Sequence, residues 1–373
     1  MDDSGLKLQS LITEDGRLEV FLIEEAIPEP GADEVLVKVQ AAPIHPSDIS
    51  QLFGPADFST ARLEGTTARP VLTATIPEAL MPIVAPRIGQ PLPAGNEGAG
   101  SVIRAGRNCA HLEGKTVAML GGEMYAQYRV MPASKCLPVP DGINAAACAA
   151  SKVNPLTALC LVETMRMEGH TALVNTAAAS SLGQMLVKIC LKDGIGLVNI
   201  VRSDAQVKLL QDIGATHVVN STSDSFMTDL VAALSATGAT IAFDATGGGS
   251  LGGQILTAME QVAVSKMTTF SRYDSDTFKQ LYIYGNMDTS PTTFNRTFGV
   301  AWSIKAWLLS PFLQQLGMEK LVQLQQRIGA ELTTTFATEY AGSVSLAGML
   351  DPAAIATYAA RHTGSKYLVT PWT

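Results

Sequence analysis

The hydrophobic pattern of the chain changes near residue 150. Before that point, short runs such as residues 18–23, 34–40 and 100–104 alternate with Gly- and Pro-rich turns. Such runs are typical of antiparallel strands with one buried face. Beyond it, short apolar runs alternate with segments whose apolar residues recur every three or four positions. We therefore predict a β-rich first domain, then an α/β domain with a doubly wound parallel sheet covered on both faces.

Residues 170–202 are the most informative stretch. Apolar runs at 171–175 and 197–201 flank a helical pattern, and the whole unit has the length of a βαβ crossover. The turn between the first strand and the helix holds only small residues, which would let a pyrophosphate approach the positive end of the helix. The residues predicted to contact a dinucleotide here are Ala178, Ser180, Ser181, Leu182 and Gly183.

The same turn departs from the usual G-x-G-x-x-G fingerprint, because only Gly183 remains of its glycines. Ser180 and Ser181 could add hydroxyl donors or cap the helix. The alternative interpretation is a buried helix that happens to start with small residues.

Arg202 follows the second strand, where an NAD-binding unit has Asp or Glu for the ribose 2′-hydroxyl. An arginine there suits a 2′-phosphate and so indicates NADPH. Asp204 could instead pair with Arg202 and weaken this preference.

Two later strand ends repeat the pattern of a ligand-binding edge. The run at 240–246 ends in Thr246 and is followed by Gly247. The run at 281–285 ends in Tyr284 and Gly285. In doubly wound sheets, ligands bind beyond the carboxyl ends of the strands. We predict that these four residues also contact the cofactor.

Residues 54–94 form a long segment with seven prolines, which argues against a long helix or strand. It is too apolar to be a solvated linker. We predict either an ordered lobe near the active-site entrance or a loop that covers the surface. Arg62, Arg69 and Arg87 could give it a basic entrance for an acyl-CoA, although acidic residues lie among them.

Composition and net charge exclude some classes of function. The chain has 373 residues, 47% hydrophobic and 16% charged, which suits two domains with large cores. The net charge of −8 argues against a nucleic acid or an anionic membrane as partner. We noted no apolar run of membrane-spanning length and no signal peptide, and therefore expect a cytoplasmic protein.

The cysteines are scattered and never occur as C-x-x-C, which argues for reduced thiols and against a zinc knot. One reactive thiol remains an alternative. The five are Cys109, Cys136, Cys148, Cys160 and Cys190.

Several segments together resemble the medium-chain dehydrogenase/reductase superfamily, in order and over most of the chain. They are residues 31–39, 44–48 (Ile-His-Pro-Ser-Asp), 95–100 (Gly-Asn-Glu-Gly-Ala-Gly), 153–158, 170–202, 213–219, 243–248 and 284–285. The resemblance implies a GroES-like β-barrel-type catalytic domain at 1–152 and 330–373, with the 54–94 insertion. It implies a Rossmann NADP-binding domain at 153–329.

Within that superfamily the chain is most similar to the zinc-free quinone oxidoreductases and 2-enoyl thioester reductases. Zinc-dependent members carry a Cys near position 45 and a His where Asn96 stands, and neither is present. We therefore predict no metal. The resemblance also implies that Thr157 approaches the nicotinamide and that Asn154 contacts the cofactor. Lys366, in Gly364-Ser365-Lys366, is expected to reach the cofactor, the alternative being a solvent-exposed lysine.

Two residues are candidates for catalysis. His45 stands where the family usually has Asn, and could bind the carboxamide or donate a proton, or simply brace the next turn. Tyr125, in a strand predicted at 125–130, could face the cleft as a donor, although packing is the commoner fate of such a tyrosine. The catalytic Tyr of enoyl thioester reductases has no counterpart in residues 52–57.

The segment 295–313 is apolar and aromatic. In the resembling family this region carries an edge strand that pairs across a two-fold axis, so we predict a homodimer. Alternatively the segment covers the core of its own domain.

The predicted function is zinc-independent, NADPH-dependent transfer of hydride to a quinone or another α,β-unsaturated carbonyl acceptor. The alternatives are a trans-2-enoyl thioester (CoA or acyl-carrier-protein) reductase and a nucleotide-bound protein without catalysis.

Overall fold

The computed structural model describes residues 3–360, 363–364 and 366–373. The chain divides into two compact units, one of Met1–Val153 with Glu331–Thr373 and the other of Asn154–Ala330. Two predicted features fall partly outside the described residues. These are Arg361, at the end of the helix expected over 353–361, and Ser365 of the Gly364-Ser365-Lys366 segment.

The strands of both units are short to medium in length. They are β1 Ser4–Ile12, β2 Arg17–Ala26, β3 Glu34–Pro43, β4 Asp57–Thr66, β5 Arg69–Thr75, β6 Leu92–Pro93, β7 Glu97–Ala105, β8 Thr116–Leu120, β9 Tyr128–Pro132, β10 Cys136–Pro138, β11 Ala172–Asn175, β12 Gly196–Val201, β13 His217–Asn220, β14 Ile241–Asp244, β15 Lys279–Ile283, β16 Trp302–Ala306, β17 Gly342–Val344 and β18 Tyr367–Val369.

The longer helices belong mainly to the second unit. The α-helices are α1 Pro46–Phe53, α2 Met81–Val84, α3 Ala145–Cys148, α4 Val153–Met167, α5 Ser181–Asp193, α6 Asp204–Asp212, α7 Phe226–Thr237, α8 Leu251–Ser265, α9 Leu309–Leu316, α10 Met318–Ala330 and α11 Pro352–Tyr358. Short 3₁₀ turns lie at Glu78–Leu80, Ala85–Arg87, Ala110–Leu112, Ala133–Lys135 and Gly348–Leu350.

The described strands of the first unit form two largely antiparallel sheets. One has the order β4-β5-β2-β1-β6, and the other β10-β8-β7-β3-β18-β17, with β9 also paired to β3. The inward faces of β1, β3 and β7 share one core, which includes Leu8, Val37 and Val102. The C-terminal strand β18 pairs with the end of β3, where Leu368 lies opposite Pro43. This pairing brings the C-terminal segment next to residues 44 and 45.

The 54–94 segment differs from its prediction. Instead of lacking a long strand it contains the antiparallel hairpin of β4 and β5, which extends the first sheet. The prediction was wrong because only one of the seven prolines, Pro70, lies within the hairpin, and no proline lies between Pro55 and Pro70. Pro70 is opposite Gly65 of β4, and the ladder of β5 with β2 starts only at Val71. Leu72, Ile76 and Val84 enter the core of the unit, so the insertion is an ordered part of it.

The described strands of the second unit form a parallel sheet in the order β13-β12-β11-β14-β15-β16. The order reverses between β11 and β14, so the loops that follow these two strands lie at the topological switch point. Its core combines Val174, Ile200 and Leu281 from the sheet with residues of α7 and α8. The predicted α/β fold class, a β-rich domain followed by a doubly wound parallel domain, is confirmed.

Among the described residues, one helical stretch, Ala145–Met167, is long and apolar enough to cross a membrane. The expectation that no such stretch exists is therefore wrong by length and composition. The stretch is weak evidence for a membrane span, because 78% of its most apolar window is buried inside the protein. A buried core helix has the same composition.

Candidate functional site

The loop between β11 and α5 has the geometry of an anion-binding turn. Ser180 is the N-cap of α5, and its hydroxyl accepts a hydrogen bond from the Gly183 N–H at 3.1 Å. The N–H groups of the next residues, Ser181 and Leu182, have no acceptor one turn earlier and stay available to a ligand. The backbone of Ala177 is in the left-handed region, with φ +49°, which is uncommon for a residue with a side chain. The capping role predicted for Ser180 is confirmed.

Gly183 is the fingerprint glycine that the chain has kept, and its surroundings explain why. A Cβ atom on Gly183 would lie 2.1 Å from the carbonyl oxygen of Ala178. The helix can therefore approach the turn only without a side chain at this position. This is the role of the third glycine in dinucleotide-binding turns.

Asp244, at the end of β14, fixes the two loops at the switch point to each other. Its Oδ1 accepts from the Thr176 hydroxyl at 2.7 Å and from the Thr246 N–H at 2.8 Å. Its Oδ2 accepts from the Gly247 N–H at 3.2 Å. We did not predict Asp244 from the sequence, although an acid that ends a buried apolar strand was a usable signal.

The neighbouring strand end contributes the other residues predicted there. A Cβ atom on Gly247, whose φ is +81°, would lie 2.5 Å from the carbonyl oxygen of Gly285. The Tyr284 hydroxyl donates to Asn175 Oδ1 at 3.2 Å. Loss of hydration on burial raises the pKa of Tyr284 above its usual range. Thr246, Gly247, Tyr284 and Gly285 thus lie on adjacent strands beside the β11 turn.

Arg202 directly follows β12, the strand beside β11, and its side chain is exposed. Within the described part of the chain we find no ion pair of its guanidinium, so this charge is available to a ligand. Among the described residues we find no pairing of Arg202 with Asp204, whose Oδ1 accepts a hydrogen bond from Asn220 Nδ2 at 2.8 Å. Asn154 and Thr157, in the first turns of α4, are half-buried and buried respectively.

In the first unit, His45 begins helix α1. His45 is the N-cap and Asp48 is the third helical residue. Asp48 Oδ2 accepts from the His45 N–H at 2.9 Å, as in a capping box. Asp48 Oδ1 accepts from the Asn96 N–H at 3.0 Å. Asp48 is fully buried, and the loss of hydration raises the pKa of its carboxyl despite these hydrogen bonds.

Glu97 binds the side chain of His45. Its Oε1 lies 2.6 Å from His45 Nε2, and both residues are buried. Its Oε2 accepts from the backbone N–H groups of Lys152 at 2.7 Å and Val153 at 2.9 Å. An ionised carboxylate can only accept, so in that state Nε2 carries a hydrogen and donates it to Glu97. We did not predict Glu97 as part of the site, although a single acid among glycines and apolar residues was a signal.

Tyr125 is placed differently from the prediction. Strand β9 begins only at Tyr128, and Tyr125 is fully buried. Its hydroxyl donates to Asp48 Oδ2 at 2.9 Å and lies 3.2 Å from the Pro43 carbonyl oxygen. Burial and the nearby Asp48 raise the pKa of Tyr125 well above its usual range. These contacts favour a bracing role for Tyr125 and argue against the predicted proton donor in a cleft.

Two lysines belong to the same polar cluster. Burial lowers the pKa of Lys152 to about 8, although the charges of Cys136 and Glu97 oppose this shift. The stem of Lys366 is partly exposed but its Nζ atom is enclosed, and we find no hydrogen-bond partner for it in the described residues. Burial lowers the pKa of Lys366 as well, against the opposing charges of Glu97 and Asp48.

The cysteines remain free thiols and are mostly buried. Burial raises the pKa of Cys136 to about 11 and those of Cys148, Cys160 and Cys190 to about 12. A thiol reacts as its thiolate, so these four are poor nucleophiles at neutral pH.

The first unit also matches a known family model. Residues 31–141 match the alcohol dehydrogenase GroES-like domain. Among curated proteins, the mitochondrial enoyl-[acyl-carrier-protein] reductase of Xenopus tropicalis is 32% identical over 203 residues, which cover 52% of this chain and 49% of the relative. The chain thus spans about half the length of such curated relatives.

Solved structures match over nearly the whole chain. A putative NADPH:quinone reductase from Mesorhizobium loti is 26% identical, with a TM-score of 0.73, and the match covers 100% of this chain and 99% of that one. The quinone oxidoreductase of Escherichia coli, solved with NADPH, is 16% identical with a TM-score of 0.69, covering 98% and 100%. At this lower identity the likeness shows the fold alone.

Proposed function

Since the chain belongs to the medium-chain dehydrogenase/reductase superfamily, we propose that it is an NADPH-dependent reductase of quinones or other α,β-unsaturated carbonyl compounds that works without zinc. The first unit would be the catalytic domain and the second would bind the nucleotide. The observation that carries the proposal is the turn at the switch point together with Arg202 after the adjacent strand, whose guanidinium has no ion pair among the described residues.

The residues present fit a dinucleotide with a 2′-phosphate. The first turn of α5 offers N–H donors and the positive end of a helix dipole to a pyrophosphate. Arg202, exposed at the end of β12, offers a fork of N–H donors to a 2′-phosphate. Bound NADPH supplies a hydride, and the chain's own residues bind and orient the nucleotide and the acceptor. The M. loti relative, described as a putative NADPH:quinone reductase, agrees with this assignment.

We propose a small acceptor because two of the three arginines in the insertion already have partners within the protein. Arg69 pairs with Glu24 at 2.7 Å, so its charge is already compensated. Arg87 donates to the Gln51 carbonyl oxygen at 3.1 Å and to the Ser10 hydroxyl at 2.8 Å. Of these three arginines, only Arg62 has no such contact among the described residues and could bind the phosphates of a CoA. A quinone or enone needs no such contact, and the M. loti relative is described as a putative quinone reductase.

Reduction of an enoyl thioester is the second candidate. It is favoured by the enoyl-[acyl-carrier-protein] reductase relatives, whose resemblance covers about half of their length. The structure offers no tyrosine in residues 54–57 after helix α1, and Phe53 at the end of that helix is buried. The proton donor would then differ from the one that those reductases use.

We also propose that the protein forms a homodimer through the edge strand β16. Phe298, Trp307 and Phe312 are buried in their own unit, but Val300 and Leu308, which flank the strand, are 64% and 63% exposed. Replacing both exposed residues with Glu should shift the mass in sedimentation from dimer to monomer while circular dichroism stays unchanged. A monomeric native protein would contradict this proposal.

The activity test is NADPH oxidation, followed at 340 nm in the presence of EDTA. The acceptors would be a benzoquinone, a naphthoquinone, a simple enone and crotonyl-CoA, with NADH run in parallel. We expect turnover of a quinone or the enone, with NADPH preferred over NADH. Crotonyl-CoA as the best acceptor would favour the thioester reductase. Tight NADPH binding without turnover of any acceptor would favour the non-catalytic binding protein, and turnover lost with EDTA and restored by zinc would contradict the zinc-free assignment.

A further inference from the structure

Lys366 carries a positive charge with unused donors inside the first unit. The Ile44 N–H donates to the Tyr367 carbonyl oxygen at 3.0 Å, and β18 continues this pairing along β3. The backbone of Lys366 is therefore held next to His45. Its Nζ atom is enclosed and has no hydrogen-bond partner among the described residues. An enclosed ammonium without partners costs free energy, so such a group in a native fold calls for an explanation.

The two carboxylates whose charges act on Lys366 are already engaged by other donors. Asp48 accepts from the His45 N–H, the Asn96 N–H and the Tyr125 hydroxyl. Glu97 binds the His45 ring and two backbone N–H groups. They therefore stabilise the charge of the ammonium from a distance, and its N–H groups keep the capacity to donate to a ligand.

We propose that the enclosed Lys366 ammonium binds the carbonyl oxygen of the acceptor and stabilises the negative charge that forms on it. This inference rests on the proposed function, and it replaces the predicted contact of Lys366 with the cofactor. Asp48 and Glu97 would repel a preformed phosphate dianion at this position. A neutral carbonyl oxygen avoids that repulsion, because it gains charge only as hydride arrives.

The step balances as follows for an enone. A C–H bond of NADPH breaks and its electron pair forms a new C–H bond at the β carbon, so NADPH is oxidised and the enone reduced. The carbon–carbon π electrons shift toward the carbonyl, and the oxygen becomes an enolate held by Lys366. A proton from water then adds to the α carbon, and Lys366 keeps its own proton throughout.

The test compares Lys366→Met, which removes the charge at nearly constant length, with Lys366→Arg, which keeps it. Lys208→Met, at an exposed helical position, is the control for loss of a lysine. We expect Lys366→Met to lower kcat/KM for quinone or enone about 10²–10³-fold, as for other oxyanion donors, with NADPH affinity changed less than twofold. Lys366→Arg should recover part of the activity. It should also abolish the loss of activity that deprotonation of Lys366 causes in the native protein at high pH.

A binding experiment separates this inference from the proposed function. We would titrate 4-nitrophenol, whose phenolate mimics an enolate oxygen, into the native protein with NADP⁺ and follow the visible absorbance. The native protein should lower the apparent pKa of the bound phenol, and Lys366→Met should not. If no acceptor is turned over but this difference persists, the oxyanion site stands and the reductase proposal falls.

Two outcomes would overturn the inference while leaving the reductase intact. In the first, Lys366→Met weakens NADPH binding tenfold or more and leaves kcat unchanged, which would make Lys366 a cofactor ligand. In the second, turnover and phenolate binding both match the native protein, which would make the lysine a structural residue.

Discussion

The two polar regions of this protein are built in opposite ways. In the first unit, His45, Asp48, Glu97 and Tyr125 come from distant segments and are buried with most of their hydrogen-bonding capacity engaged. In the second unit, the turn before α5 relies on backbone N–H groups, small residues and one exposed arginine. The first region is expensive to disturb because charges and donors would be left unpaired in the interior. The stability of the second region should change little when a charge is removed, and it should fall when a larger side chain is added.

The largest expected effect tests the buried region. Glu97→Ala would leave the His45 ring and two backbone N–H groups without their acceptor, and should cost about 3–5 kcal/mol of unfolding free energy. Urea unfolding followed by circular dichroism measures this loss. Glu24→Ala, which removes an exposed carboxylate paired with Arg69, is the control and should leave the unfolding midpoint nearly unchanged. Equal effects of the two substitutions would contradict the difference between buried and exposed pairs.

Lys152 provides a second test, because its pKa defines the direction in which the unfolding free energy changes with pH. Its pKa is about 8 in the folded protein, and an unfolded lysine has a pKa of about 10.4. Between these values the unfolded chain holds more protons, so this group makes the protein more stable as pH rises. The unfolding free energy of the native protein, relative to Lys152→Met, should increase by about 3 kcal/mol from pH 8 to 10.5. A constant difference across that range would refute the lowered pKa.

In the second unit, stability should depend on the volume of the side chains in the turn before α5. Gly183→Ala places a Cβ atom 2.1 Å from the Ala178 carbonyl oxygen, so helix α5 must shift, which should cost about 1–3 kcal/mol. Gly329→Ala, in helix α10 with no atom within 4 Å of the added Cβ, is the matched control. It should stabilise by about 0.5–1 kcal/mol, because alanine favours a helix over glycine. The melting temperatures of both variants measure this difference. An unchanged melting temperature for Gly183→Ala would contradict the close approach of helix α5 to the turn.

In the second unit, the charge of Arg202 should contribute to nucleotide binding and not to the stability of the fold. Arg202→Ala should weaken NADPH binding tenfold or more, since a charge-assisted phosphate contact contributes about 1.5–3 kcal/mol. NADH affinity and the melting temperature should barely change. Fluorescence titration with both nucleotides gives the result, with Lys208→Ala on the following helix as control. Equal losses for NADPH and NADH would exclude a 2′-phosphate contact.

The difference between the regions also explains what could be predicted. The β11–α5–β12 unit followed from local patterns, because turn, cap and helix depend on residues close in sequence. The hairpin in the insertion was missed because the prolines were weighed by number and not by position. The pairing of His45 with Glu97 joins residues 52 positions apart, and no local pattern encodes it.

The sequence alone determined the alternation of strands and helices in the second unit and the position of the turn before α5, because periodicity and turn chemistry are local properties. Only the tertiary structure decided that Tyr125 is bound to Asp48 and that the ammonium of Lys366 is enclosed. Those facts depend on how β3, β7 and β18 align in one sheet, since burial and hydrogen bonding are set by neighbours distant in the chain.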